Sequence, residues 1–412
     1  MSKDKVFVGM SPKEHPKVPT GHAIGSGKKV FVGMSGGVDS SVSAALLKEQ
    51  GYDVTGVFIK VWQADFLPCN WREERRDAMR VAAHLSIPFV TLDLEKEYKE
   101  EVVDYMIREY AAGRIPNPDV MCNKHVKFGA FYAYAKTQGA ELIATGHYAR
   151  KESQAISHKS QEYSTTHGSD KSLLQLETCN FKLLTGVDKE KDQSYFLWTI
   201  DQDVLSHTLF PVGHLEKNQV RELASRFGLP NAEKKDSQGL CFMGKIDMSD
   251  FLKHYLRTIP GNVLSEDGSV IGTHNGALLY TIGQRKGFET QKISEHEEPY
   301  FVIAKDIDAN TVTVAHRTKH DVSPVASLVH VSGVHIIHPG RLKTTSEIPL
   351  FARIRYRGEL FPVEVKGVRS EGGECEVRFM HSVEGIAPGQ SLVFYRGDEC
   401  EGGAVIVSAD AE

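Results

Sequence analysis

No apolar run of roughly 18 residues occurs in this chain, so no segment is predicted to cross a membrane as a helix. The N-terminus lacks a long apolar stretch and a clear cleavage signal, and it carries Asp4 and Glu14, which argues against an organelle transit peptide. Cysteine is sparse and scattered: Cys69, Cys122, Cys179, Cys241, Cys375 and Cys400, with no C-x-x-C pair. That spacing offers neither a zinc knuckle nor a disulfide framework, and no metal site is expected from it. A cytoplasmic location is expected, where thiols stay reduced unless chemistry uses them. An excess of one charge is also missing, the formal net charge being −5. Nucleic acid would therefore have to be met by a local basic patch rather than by the whole surface.

What is present is a chain of 412 residues, 41% hydrophobic and 25% charged, enough for two or three domains. Residues 1–27 are rich in Pro, Gly, Lys and His and read as a flexible tail. The heptapeptide KVFVGMS occurs twice, as Lys5–Ser11 and Lys29–Ser35. Only the second copy runs on into SGGVDSS and a helical pattern closed by Gly51. Strands YDVTGVFIK, PFVTLDL and ELIATG then alternate with helices expected at about 73–86, 97–112 and 125–138. This α/β alternation predicts a doubly wound parallel sheet over 28–244, with a polar insertion at 151–180 and a further helix near 215–228. Beyond Cys241 short β-type runs and glycine turns dominate. They predict a small, mostly β central domain over 245–318 and a C-terminal antiparallel β-barrel over 319–412. Asp267-Gly268 and Ala309-Asn310 are the hairpin signals in the central part.

Strand, SGGVDSS, helix is a phosphate-binding arrangement. Gly36 and Gly37 let backbone approach a phosphate, and the helix start supplies free N–H groups and a positive dipole end. Ser35, Ser40 and Ser41 add hydroxyls, and Asp39 can orient a donor or hold Mg²⁺. No Lys-[Ser/Thr] follows the glycines, so this is not the common P-loop.

Two thiols stand out. Cys122, in NPDVMCNKHVKFG, precedes a helix with Lys124, His125 and Lys127 nearby, a setting expected to lower its pKa. Cys241, in KKDSQGLCFMGK, is flanked by Gly239 and Gly244 in a segment expected to be mobile. Taken alone, a cysteine beside Phe242 and Met243 is more often a buried core thiol. In ARIRYRG a strand would align Arg353, Arg355 and Arg357 as a basic stripe, opposite Ile354 and Tyr356.

SGGVDSS resembles the pyrophosphate-loop motif of the ATP pyrophosphatases. NPDVMCNKHVKFG, ATGHYAR, KDQSYFLW, DSQGLCF, GTHNGALLYTIGQRKG and PGQSLVFY follow in that order. Together they closely resemble the tRNA-specific 2-thiouridylases, from about Lys29 to the end of the chain. The resemblance implies ATP-dependent 2-thiolation of the wobble uridine of tRNA, through adenylation of the base and sulfur transfer from a cysteine persulfide. It implies Cys122 as nucleophile, Cys241 as persulfide carrier and a disulfide between them. It places ATP, with Mg²⁺, on Gly33, Met34, Ser35, Gly36, Gly37, Val38, Asp39, Ser40, Ile59 and Gly146. The target base would lie on Asn117, Pro118 and Asp119, with His147 beside it. Lys191, Asp192, Gln193, Arg355, Tyr356 and Gln390 would contact tRNA. The implied partners are tRNA and a sulfur-donor protein. Lys60-Val61-Trp62 departs from the K-N-W usual in that family, and Cys69, Cys179, Cys375 and Cys400 match no catalytic position. Other readings stay open at this point: an amide-forming ligase of the same superfamily, a thiolase using an iron–sulfur cluster on Asp119, Cys122 and Cys241, and a non-catalytic tRNA-binding protein.

Overall fold

The computed structural model describes residues 27–67, 71–154, 180–236, 241–242, 247–290, 299–316, 325–338, 349–367 and 372–411. The first KVFVGMS, most of the tail, most of the 151–180 insertion, Cys69, Cys179, Gly239 and Gly244 lie outside the described residues.

In the first part, strands β1 (Lys29–Gly33), β2 (Asp53–Lys60), β3 (Phe89–Asp93) and β4 (Leu142–Ala144) are followed by β5 (Ala149–Gln154), β6 (Asn180–Thr185) and β7 (Thr208–Leu209). A parallel sheet forms in the order β3-β2-β1-β4-β7. Its central strands are apolar on both faces, as burial between helices requires: Val30, Val32, Val57 and Ile143 are all buried. Helices α1 (Val38–Glu49) and α2 (Trp71–His84) connect the first three strands. Strand order runs outward one way from β1 through β2 and β3, and the other way through β4 and β7. The crevice past the carboxyl ends of β1 and β4 is thus the switch point where ligands bind in such sheets.

Strands β8 (Gly261–Leu264), β9 (Val270–His274), β10 (Phe288–Thr290), β11 (Tyr300–Asp306) and β12 (Thr311–His316) form a second sheet, ordered β10-β9-β8-β12-β11. The expected turns are present, and Asn310 takes the positive φ of 50° that such a tight turn needs.

The last part holds β13 (Val325–Ile336), β14 (Phe351–Arg353), β15 (Phe361–Lys366), β16 (Cys375–Glu384), β17 (Ser391–Arg396) and β18 (Glu399–Ala411). These six run antiparallel in the order β13-β16-β15-β14-β17-β18, and β13 pairs with β18 to close a barrel. Val329, Val377, Phe379, Leu392, Phe394 and Ile406 fill it. Hairpin β5–β6, which flanks the polar insertion, is antiparallel and adds to the barrel through Leu183↔Cys400 and Leu184↔Glu399. The expected strand through Arg357 is shorter than the sequence suggests. It ends at Arg353, and the chain turns over Tyr356 and Arg357, the latter at φ 57°.

Candidate active site

Gly36 and Gly146 shape the loop between β1 and α1. Gly36 has φ 75°, and a Cβ on it would stand 2.4 Å from the Glu74 carbonyl oxygen. A Cβ on Gly146 would stand 2.7 Å from the Ser40 nitrogen, so only glycine lets the β4 end approach the start of α1. Gly37 is the N-cap and provides no side-chain cap, which leaves the first-turn N–H groups of α1 open. Ser40 Oγ accepts from the Ser35 N–H at 3.3 Å, and Asn231 Nδ2 ties the loop from behind, donating to Gly36 O at 3.0 Å and Ser41 Oγ at 2.9 Å. Asp39 Oδ1 accepts from Tyr148 Oη at 2.8 Å and Lys217 Nζ at 2.7 Å. Lys217, Lys191 and Arg221 all converge on Asp236, each at 2.8 Å. The hydrogen bonds from Lys191 and Lys217 outweigh burial and hold the Asp236 carboxyl down at about 2.

The second centre is built on one helix of three segments and two kinds of winding. Asn117 caps it, its Oδ1 accepting from Val120 N at 3.4 Å, and Pro118 occupies the first position, where its missing N–H costs nothing. After Pro118–Met121 the helix is π-wound over Cys122–Ala130 and returns to α over Phe131–Thr137. In an α-helix, residues five apart lie about 140° around the axis. The i→i+5 bonding of a π-turn brings them toward one side. So Lys127 meets Cys122.

Cys122 is fully buried, Cys241 is partly exposed, and both are free thiols in hydrogen-bonding contact. The Cys241 N–H donates to Asp119 Oδ1 at 2.9 Å, and Tyr98 Oη donates to Cys241 O at 2.8 Å. The expected lowering of the Cys122 pKa is reversed. Burial, then the neighbouring Cys241, push the Cys122 thiol well up, and this outweighs Lys127. Cys241 is the low-pKa partner, at about 7, because Cys122 donates a hydrogen bond to it and Lys127 stands beside it, against the cost of burial. Burial alone would neutralise Lys127, but Cys241, Cys122 and Asp119 together hold its proton on. Lys127 Nζ lies 3.3 Å from His147 Nε2, and His147 Nδ1 lies 2.8 Å from Thr145 Oγ1. Burial, and then Lys127, keep His147 neutral. Burial raises the Asp119 pKa, opposed by the Cys241 N–H and Lys127.

One cavity of about 630 Å³ joins the two centres. Of the residues expected to hold ATP, Gly33, Met34, Ser35, Gly37, Val38, Asp39, Ser40, Ile59 and Gly146 line it, whereas Gly36 does not. Asp119, His147, Lys191, Gln193, Cys241 and Tyr356 line it too. Asn117, Pro118 and Cys122 do not line it. Asp192 is buried and consumed within the protein, accepting from Gly186 N, Ser194 N, Ser194 Oγ and Arg353 Nη1. Arg353 is therefore no part of an exposed stripe, whereas Arg355 and Arg357 are exposed. Gln390 donates to Ile115 O at 2.8 Å and Pro116 O at 3.2 Å, fastening the barrel to the turn before Asn117.

Sequence reasoning missed Lys217, Asp236, Tyr148 and Asn231 around the glycine loop, and Asn123 and Lys127 as cavity residues. For Lys127 a signal existed in its closeness to Cys122. The other contacts span long sequence separations, as between Asp39 and Lys217, and have no local signature. Cys375 and Cys400 are buried in the barrel, away from the cavity.

Three family models match in succession: a tRNA methyl transferase HUP domain over residues 28–245, a tRNA methyl transferase PRC-barrel domain over 249–316 and an aminomethyltransferase beta-barrel domain over 329–406. Among curated proteins, the tRNA-specific 2-thiouridylase MnmA of Enterococcus faecalis is 42% identical over 380 residues, which is 92% of this chain and 95% of that one. Its namesake from Streptococcus mutans is 43% identical over 388 residues, 93% of this chain and 96% of that one. Among solved structures, the U34-tRNA thiolase NcsA from Methanococcus maripaludis overlays at a TM-score of 0.31 with 14% identity, covering 51% of this chain and 60% of that one. The curated relatives match nearly end to end, and on that extent of identity this chain belongs to the tRNA-specific 2-thiouridylase family.

Proposed function

We propose that this chain is an ATP-dependent tRNA-uridine 2-sulfurtransferase in which one cavity serves both base activation and sulfur delivery. The observation that carries the reading is the cavity itself, lined at one end by the glycine loop and at the other by Cys241. Its volume of about 630 Å³ falls in the range of ligand pockets. ATP fits the loop end. The uncapped start of α1 faces it, and Lys191, in the lining, adds positive charge. Mg²⁺ would be held largely by the triphosphate, with Asp39 as the nearest carboxylate of the loop.

The chemistry follows from the groups present. The uridine O2 attacks the α-phosphorus, an O–P bond forms, the α–β bridge breaks and pyrophosphate leaves. This turns a poor leaving group into AMP. A persulfide on Cys241 then attacks C2 through its terminal sulfur, and AMP departs with the C2–O bond. The Cys122 thiol attacks Cys241 Sγ, losing its proton, which is released as a net product; the persulfide S–S bond breaks, and the terminal sulfur stays on C2. The products are 2-thiouridine, AMP and a Cys122–Cys241 disulfide, which a thiol reductant resets. The low pKa of Cys241 supports it as the thiolate that takes sulfur from a donor protein. The burial of Cys122 suits a thiol that acts only on its neighbour. A cytoplasmic location goes with reduced thiols; in the described residues no helix is long and apolar enough to cross a membrane.

The test is nucleoside analysis of tRNA incubated with the protein, ATP, Mg²⁺ and a persulfide donor. Formation of 2-thiouridine at position 34 supports the reading. Its absence, or activity that tracks an absorbance near 400 nm in anaerobically purified protein, sinks it in favour of no thiolation or of a cluster route.

A further inference from the structure

Asn123 follows Cys122 on the π-wound turn, is 3% exposed and lines the cavity. Its Nδ2 donates to Phe196 O at 3.0 Å. That bond fixes the amide, because a flip would set Oδ1 against the Phe196 carbonyl oxygen. Oδ1 is buried and has no hydrogen-bond partner among the described residues. A buried acceptor left unpaired is costly, and a native structure keeps one where something else completes it.

We propose that Asn123 Oδ1 accepts the N3–H of the target uracil and is the residue that reads the base as uracil. This inference rests on the thiolation reading above. The cavity's other polar side chains near the thiols are already engaged: Lys127 with His147, His147 with Thr145, and Asp119 with the Cys241 N–H. An acceptor beside Cys122 matches the one donor on the Watson–Crick edge of uracil. Cytosine presents a lone pair at N3, so it would leave Oδ1 unpaired and repelled. The same contact holds the N3 proton on the ring when O2 carries AMP, which keeps C2 electrophilic for sulfur. Asn123 thus belongs to specificity, beside a sulfur chemistry it does not itself perform.

The experiment uses the full chain and anticodon stem-loops carrying uridine, cytidine or 3-deazauridine at position 34. The last replaces N3–H by C–H in a planar ring of nearly constant shape, its 4-oxygen then being an enol hydroxyl. Wild type should bind the uridine stem-loop about tenfold or more tightly than the other two, and Asn123→Ala should bring all three to the weaker level. Equal wild-type affinity for uridine and 3-deazauridine overturns the proposal whatever the variant does. So does an Asn123→Ala protein that still discriminates. Thiolation of uridine-34 tRNA by wild type runs as the control. Its failure removes the underlying reading, whereas success without discrimination removes only the role of Asn123.

Discussion

The Cys241 N–H donates to the Asp119 carboxylate at 2.9 Å, across 122 residues of chain. Asp119 was expected to touch the base, and its lining position allows that, but its hydrogen bond in the structure is to the backbone of Cys241. Asp119→Ala should slow oxidative formation of the Cys122–Cys241 disulfide at least tenfold and lower thiolation in step. Asp119→Asn, which keeps an acceptor, should recover most of the disulfide rate. Non-reducing peptide mapping over a time course decides; an unchanged rate in Asp119→Ala would show that the contact does not position the thiol.

In the reduced protein only one of the two thiols should titrate near neutrality. Cys241 is held at about 7, so its alkylation by iodoacetamide should rise through pH 7 and level off about one unit above. Cys122 should stay unreactive over the same range. Lys127→Met should move the Cys241 midpoint up, since the nearby ammonium favours the thiolate. Mass spectrometry of each labelled peptide against pH would expose the opposite order.

Asp39 and Lys217 form a pair at the mouth of α1. Asp39→Ala should abolish ATP-dependent pyrophosphate release while leaving the circular dichroism spectrum and thermal midpoint near those of wild type. Lys217→Ala should weaken ATP binding and leave tRNA binding intact. Pyrophosphate release at the wild-type rate by Asp39→Ala would mean that the loop aspartate takes no part.

The arginines of ARIRYRG should separate into two behaviours. Arg353 is paired with buried Asp192, so Arg353→Ala should destabilise the protein by about 3–5 kcal/mol, read by denaturant unfolding. Arg355→Ala should leave stability unchanged, weaken tRNA binding, and reduce the log–log salt slope by about 0.7–0.9. Equal effects of the two on tRNA affinity at matched stability would restore the continuous stripe.

Asp236 carries a pH signature. Its folded pKa of about 2 lies below the unfolded carboxylate value, so its contribution is full above about pH 4 and is lost as pH falls through about 2. Its side chain is a third exposed, so screening leaves roughly 1 kcal/mol. Asp236→Asn should lower stability by about that amount at pH 7, with the gap closing between pH 4 and pH 2. A gap constant with pH would assign the loss to something other than charge.

The fold class could be read in the chain because each element carried its own local signal. Apolar strands, the glycine turn and the Gly51 stop all sit within a few residues of what they determine. The loop residues 33–40 were legible for the same reason. The thiol centre was only half legible. Helical periodicity assumes 3.6 residues per turn, and the π-wound stretch at Cys122–Ala130 breaks that assumption where Asn123 and Lys127 enter the cavity. Composition near Cys122 suggested a low pKa, but complete burial reversed the sign. Arg353 failed for another reason: alternation along a strand shows which residues share a face, and cannot tell whether that face meets water or Asp192.

Hairpin β5–β6 leaves the end of the parallel sheet at Ala149 and is zipped to the barrel through Leu183 and Leu184. Backbone pairing therefore acts as a ruler between the wall that carries Tyr356 and the floor that carries the thiols. Its unit is the strand residue, about 3.4 Å. Shifting β6 against β18 by two residues would keep every side chain on its face yet displace the barrel by about 7 Å. The placing of the barrel against the parallel sheet is thus tied to strand register, which point substitutions of lining residues leave untouched.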